Sequence, residues 1–137
     1  LVKPDNFQLN KFFYKNVGKK HHWIDRLVWS ENQWINYSSD TKVKTYILKV
    51  EQELAGYYEL IFHREKKEAE IAYMGLLEEY HNKKLGSYLL SSAIKNSFLE
   101  YEVKRVWAHT CSLDHKNALH NYLARGMKIF KKEILLI

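Results

Sequence analysis

Cysteine is nearly absent from this 137-residue chain: Cys111 is the only one. No internal disulfide can form, which excludes a disulfide-stapled scaffold and fits a reducing, cytoplasmic setting. Proline is as scarce, with Pro4 alone, and there are five glycines. No Pro/Gly/Ser-rich linker therefore divides the chain, and one domain spanning residues 1–137 is expected. The longest apolar run, Ile71 to Leu77, is far too short to cross a bilayer, so no membrane span is expected. No signal-peptide pattern opens the chain. It begins on Leu1 rather than methionine, so a processed or truncated start is expected. Charge is unequal without being blocked: 22 basic residues stand against 16 acidic ones, for a formal net charge of +6. No run of five or six like charges occurs, which argues against a nucleic-acid-binding tail. What remains is a basic surface with a mild preference for anionic ligands.

Apolar residues make up 46% of the chain and aromatic residues 15%, enough for one core. Residues 1–20 read ambiguously: Phe7 and Leu9, then Phe12 and Phe13, suggest an edge strand running into a helical turn before a break at Gly18. Trp23, Ile24, Leu27 and Val28 have helical spacing. Ser30 and Gln33 form an S-x-x-Q capping box, which starts a helix burying Trp34 and Ile35. Val43–Val50, Leu54–His63 and Glu68–Leu77 read as three strands of an antiparallel meander. Gly56 suits a bulge or a close backbone approach in the second. From Asn82 to about Phe98 the pattern is helical, with Leu85, Leu89, Leu90, Ala93, Ile94 and Phe98 on one side. Lys104–Thr110 is a strand that must return parallel to the third, because a helical crossover separates them. Asp114 is a good N-cap and Gly126 a good C-terminal stop for a helix with Ala118, Leu119, Tyr122 and Leu123 as its stripe. Met127–Ile137 reads as a last strand. The order implies an α/β fold with a mixed sheet.

The stretch from Glu68 to Met127 carries two motifs. The loop His81-Asn82-Lys83-Lys84-Leu85-Gly86 opens a helix, where outward amides and the helix dipole suit an anion. Asn117-Ala118-x-x-x-Tyr122-x-x-x-Gly126, followed by apolar Met127, lies on the next helix. Together they resemble the GNAT superfamily of acyl-CoA-dependent N-acetyltransferases, over most of the chain from about Val43. The loop departs from the family's Arg/Gln-x-x-Gly-x-Gly/Ala pattern. Gly86 matches, but His81 replaces Arg/Gln and Lys84 replaces the first glycine. Lys84 therefore takes either a left-handed conformation, at roughly 1 kcal/mol or more, or ordinary helical angles with its ammonium offered to a phosphate. The second motif matches at every position named.

The resemblance implies a single GNAT-like domain with a mixed central sheet flanked by helices, using acetyl-CoA as co-substrate. The cofactor would lie where the strands around Met74 and Trp107 splay apart, its pantetheine arm along Met74 and Leu76. Its pyrophosphate would sit on the loop formed by His81, Asn82, Lys83, Lys84, Leu85, Gly86 and Ser87. Asn117 reads as a contact to the cofactor arm or as an ordinary first-turn residue. Glu70 matches the position of a glutamate general base in some members; the bland reading is a sheet-edge carboxylate in solvent. A lysine-type amine has pKa ~10.4 and needs to lose a proton before attack, whereas an ordinary glutamate has pKa ~4.3. Apolar neighbours or a water chain would have to assist. Period-two alternation would place Glu68, Glu70, Ala72, Met74 and Leu76 on one face. Tyr122 matches the family's general-acid tyrosine, serving the CoA thiolate.

Seven histidines are present, yet His115 and His120 fall on different helix faces and no Cys/His set has zinc spacing, so no metal is expected. His109 reads as a packed strand histidine, with a second reading as base. Trp23, Trp29 and Trp34 read as core or as an acceptor wall. The leading function is N-acetylation of a small-molecule or peptide amine, with pairing of two copies compatible with the family. The alternatives are a non-catalytic acyl-CoA-binding module and, on net charge alone, a nucleic-acid binder.

Overall fold

In the computed structural model, which describes residues 7–19, 23, 26–81, 84–109 and 118–128, four strands form one sheet in the order β1-β2-β3-β4. β1 (Val43–Val50), β2 (Glu53–His63) and β3 (Glu68–Leu76) make the expected antiparallel meander. β4 (Arg105–Ala108) returns parallel to β3 after helix α3 (Leu85–Tyr101). This is an α/β architecture with a mixed sheet flanked by helices. The irregularity anticipated at Gly56 is present. Leu48 pairs with Gly56 and Lys49 with Leu54, so Ala55 is the extra residue of a bulge.

Helix α3 covers one face of the sheet. Leu89, Leu90 and Ala93 are fully buried against Tyr58, Leu60, Ala69 and Ile71. Burying a leucine side chain contributes about 1.5–3 kcal/mol, so the two leucines anchor the helix. Hydroxyl contacts fix its register: Tyr46 to Tyr101 at 2.7 Å, and the Asn96 amide donating to the Tyr58 hydroxyl at 2.7 Å. The buried stripe is shifted from the expected one. Phe98 is 42% exposed, while Ser97 is fully buried and its hydroxyl donates to the Ala93 carbonyl.

Helix α1 (Gln8–Gly18) covers the other face. The expected edge strand over Phe7–Leu9 is replaced by helix, and the reason is periodic. Asn10, Phe13, Tyr14 and Val17 recur at i, i+3, i+4 and i+7, and all are buried. Phe13 stacks on Tyr57 at 5.0 Å. Val17 lies so close over Gly75 of β3 that a Cβ there would collide with it.

Helix α2 (Glu31–Ser39) starts in the expected capping box. The Gln33 amide donates to Ser30 Oγ at 3.2 Å, and the Ser30 amide donates to Gln33 Oε1 at 2.7 Å. Trp34 is buried, but Ile35 is exposed. The expected helical piece before α2 is not formed over residues 26–28, which make a turn. Leu27 and Val28 are exposed. The Arg26 amide donates to the Tyr14 hydroxyl instead of a helical carbonyl, and the arginine side chain enters the core in place of the leucine.

Helix α4 (Ala118–Ala124) stops as anticipated. Gly126 has φ +91°, its amide donates to Leu123 O, and the Met127 amide donates to Tyr122 O, both at 3.1 Å. This is the doubly bonded left-handed helix end that glycine favours. Leu123 is exposed, so its stripe is narrower than expected. Met127 and Lys128, where the expected last strand begins, are not in a strand; the rest of that strand, 129–137, and Asp114 as an N-cap lie outside the described residues. Among those residues, no helix is long and apolar enough to cross a membrane.

Candidate active site

β3 and β4 are paired only from Glu68/Arg105 to Ile71/Ala108. β3 then runs on to Leu76 without a parallel partner among the described residues. A β-bulge marks the place where the strands part. Glu59 pairs with Tyr73 and Leu60 with Ile71, which leaves Ala72 as the inserted residue. One inserted residue inverts the alternation of every side chain beyond it. Ala69 and Ile71 lie in the core beneath α3, and past the bulge Met74 and Leu76 pack against that same core. Tyr73 packs in the cluster under α1. The single face expected for Glu68, Glu70, Ala72, Met74 and Leu76 is therefore corrected. Glu68 and Glu70 lie on the α1 side, and Met74 and Leu76 on the α3 side.

Beyond β3 the chain reaches the mouth of α3. Lys84 stands at the helix start in the left-handed region, φ 61° and ψ 13°, so of its two anticipated conformations it takes the strained one. Among the described residues, no side chain caps this end of the helix. Leu85, Gly86 and Ser87 are half-buried rather than sealed. Among the described residues, a Cβ added at Gly86 would meet Asn121 Nδ2 at 3.8 Å and Leu76 Cδ1 at 4.0 Å, which are ordinary contacts. None of the described neighbours of this turn requires glycine at this position. Asn121 of α4 binds the turn from behind, its amide donating to the Gly86 carbonyl at 3.1 Å while the Ser87 hydroxyl donates to its Oδ1 at 3.4 Å. The His81 imidazole reaches back to the Leu76 carbonyl at 3.1 Å.

Lys84→Gly removes the left-handed strain of about 1–2 kcal/mol and loosens the unfolded chain by about 0.4–1 kcal/mol. A net gain of roughly 0.5–1 kcal/mol in unfolding free energy is expected from denaturant titration. An unchanged or lowered midpoint would mean that the turn is unstrained.

Glu70 sits one residue below the parting of the strands, opposite Trp107 in the β3–β4 register. Its side chain is 20% exposed, and Oε1 is 3.0 Å from His63 Nε2 on β2. The His63 ring stacks on Trp107 at 5.5 Å and 21°. His109 meets Trp107 edge-on at 5.2 Å. The buried Trp107 indole N–H has no acceptor among the described residues. Arg105 reaches Glu68 at 3.4 Å. Tyr122 packs half-buried against the core on the α3 side. The expected base and acid are thus on opposite faces of the sheet. Asn82, Lys83 and Asn117 lie outside the described residues.

A second cluster adjoins Tyr73. Arg26 is 6% exposed, and its Nη1 donates to both oxygens of the fully buried Glu59, at 2.7 and 2.9 Å. Five rings surround the guanidinium. Tyr37 lies 4.0 Å and Tyr73 4.3 Å from its Cζ, Trp29 4.8 Å, and Tyr14 and Trp34 lie farther out. Burial lowers the Arg26 pKa, and the Glu59 carboxylate with Tyr37 raises it; the balance lies above the ordinary value. Burial holds Glu59 above the usual carboxylate range, with Arg26 pulling the other way. Burial, then Glu59, raises Tyr37. Trp29 and Trp34 belong to this cluster, and Trp23 packs edge-on to Tyr73 at 4.7 Å. The tryptophans read as wall or core therefore line the segment between α1 and the sheet.

Sequence reasoning missed His63, Asn121 and the Arg26–Glu59 pair. Only Asn121 left a signal, its place beside Tyr122 in the second motif. Among the described residues, no group of three or more His, Cys, Asp or Glu side chains is arranged to hold a metal ion.

A family model described as "Acetyltransferase (GNAT) family" matches residues 5–127. No curated protein matches the chain. Among solved structures, an aminoglycoside acetyltransferase from an uncultured soil metagenomic sample superposes with a TM-score of 0.71. It is 12% identical, over 95% of this chain and 88% of that one. A transcriptional regulator from Bacillus halodurans gives a TM-score of 0.75 at 14% identity, over 99% and 97%. An IAA acetyltransferase from Bacillus cereus gives 0.72 at 22% identity, over 95% and 77%. At these identities the likeness is one of fold.

Proposed function

Because the chain belongs to the GNAT acetyltransferase family, we propose that it transfers an acetyl group from acetyl-CoA to a primary amine by direct attack. The observation that carries this reading is that β3 runs on past its pairing with β4 to Leu76, whose side chain lies against the mouth of α3 at Gly86. The half-buried amides of Leu85, Gly86 and Ser87 suit the pyrophosphate, aided by the helix dipole. Asn82, Lys83, Lys84 and His81 complete that loop, and Asn117 serves the pantetheine arm along Met74 and Leu76. The net charge of +6 favours a polyanionic ligand. Bound acetyl-CoA supplies an activated acetyl thioester.

This reading requires that the gap between β3 and β4 be open to both faces of the sheet. Glu70 receives the amine proton from the α1 side. Tyr122 offers its phenolic proton to the departing thiolate from the α3 side, since a phenol keeps its proton at neutral pH. Holding amine and thioester in one cleft supplies much of the rate. The acceptor is an amine of the small-molecule or peptide class, approaching beside Tyr73 and the tryptophans. Named neighbours include aminoglycoside and spermidine acetyltransferases.

The test pairs two measurements. Acetyl-CoA at about 100 times its Kd should stabilise the fold by ~2.7 kcal/mol, seen as a rise of several degrees in Tm. Acetyl-CoA mixed with spermidine, sisomicin or free lysine should release free thiol. Binding without release for any amine would favour the second reading, a non-catalytic acyl-CoA-binding module. Lys84 in place of the family glycine is the observation behind that alternative.

A further inference from the structure

His63 has no part in the family motifs, yet its Nε2 lies 3.0 Å from Oε1 of the Glu70 carboxylate. Three neighbouring strands build the arrangement: β2 supplies His63, β3 supplies Glu70, and β4 supplies Trp107, in register with Glu70. The stack on Trp107 sets the plane of the imidazole, and His109 braces the indole edge-on. Arg105, next along β4 on this side, is directed to Glu68, so that carboxylate has its own cation. A glutamate side chain has several rotatable bonds, and one extra anchor removes much of its freedom. A base must meet its proton within hydrogen-bond reach, and small misplacements of catalytic groups are expensive in rate.

We propose that His63 is a positioning residue for the Glu70 base: its Nε2–H donates to Oε1 and leaves Oε2 to receive the amine proton. The inference rests on the reading of Glu70 as the base. His63 bonds no substrate atom; it acts through the carboxylate. The ring is 40% exposed, so the contact sits at the rim of the site and not in the core.

His63→Phe keeps a ring to stack on Trp107 and removes the donor. His63→Gln keeps a donor and removes the ring. With whichever of spermidine, sisomicin or lysine is turned over, His63→Phe should lower kcat about 10-fold. The KM for acetyl-CoA and the Tm should stay unchanged. His63→Gln should restore most of the rate. In a Glu70→Gln background His63→Phe should cause no further loss, because the carboxylate it served is gone. Nitrogen NMR of the ring gives a readout independent of turnover, with the Nε2–H tautomer expected in the wild type. A wild-type rate in His63→Phe, losses that multiply in the double variant, or an Nδ1–H tautomer would each overturn the proposal. A wild-type rate in Glu70→Gln would overturn the base reading and this inference with it. A slow Glu70→Gln beside a normal His63→Phe sinks the inference alone.

Discussion

Glu70→Gln is expected to lower kcat by roughly 100-fold to 10,000-fold, with acetyl-CoA affinity unchanged. The substitution is nearly isosteric, and the amide oxygen can still accept the His63 N–H, so the local packing among His63, Trp107 and His109 should survive. What disappears is proton affinity, because a carboxamide does not take a proton at neutral pH. The acceptor amine then stays an ammonium, with no lone pair for the thioester. That origin has a signature. An amine of lysine type has pKa ~10.4, so raising the assay pH toward 10 supplies free amine from solution and should recover part of the loss. Free-thiol release at saturating acetyl-CoA, measured at both pH values, checks it. A variant within about 3-fold of wild type at neutral pH would remove Glu70 from the chemistry. A large loss that pH leaves untouched would assign it to geometry instead of proton transfer. Cofactor binding by thermal shift separates either result from misfolding.

The strands were legible because their signals are local. Val43–Val50 is rich in β-branched and aromatic residues, and turns bound both it and Glu68–Leu76. The parallel return of β4 followed from the crossover helix. The Ser30 cap and the Gly126 stop were legible for the same reason: each is a short motif whose hydrogen bonds close within a few residues. The face of β3 was not legible. A bulge is set by pairing across strands, and nothing in Ala72 itself announces that Glu59 and Leu60 skip it. That one residue moved Glu70 to the opposite face from Met74. Helix α1 did carry a signal, in the spacing of Asn10, Phe13, Tyr14 and Val17. The alternation of Phe7 and Leu9 at its start competed with that reading. Lys84 shows tertiary context prevailing over intrinsic preference, because a lysine holds a left-handed turn that glycine would adopt freely. Arg26 and Glu59 lie 33 residues apart. Charged residues at such separation read as surface, and only the folded sheet brings them together inside.

Arg26→Met should destabilise the fold by about 3–5 kcal/mol at pH 7, since it removes one partner of a buried pair and leaves the other charge uncompensated. Domain stabilities are about 5–15 kcal/mol, so the loss is a large share of the whole. Two effects combine. The guanidinium leaves a box of five rings, and Glu59 stays fully buried without a cation. The second effect dictates a pH dependence. Burial already holds Glu59 above its ordinary range with Arg26 present, and removing Arg26 raises it further. The folded variant then binds a proton that the unfolded chain releases near pH ~4.3. Its stability is therefore greatest below that pH and falls as pH rises toward the folded value, by up to ~1.4 kcal/mol per pH unit. Denaturant unfolding at pH 5 and pH 7 should show the variant closer to wild type at the lower pH. Pairing Arg26→Met with Glu59→Gln removes the stranded charge and should recover much of the loss at pH 7. A single variant within about 1 kcal/mol of wild type would mean that the pair behaves like an exposed one. Because the same rings include Tyr73, the first residue after the bulge, the single variant should also raise the KM for the amine more than the KM for acetyl-CoA.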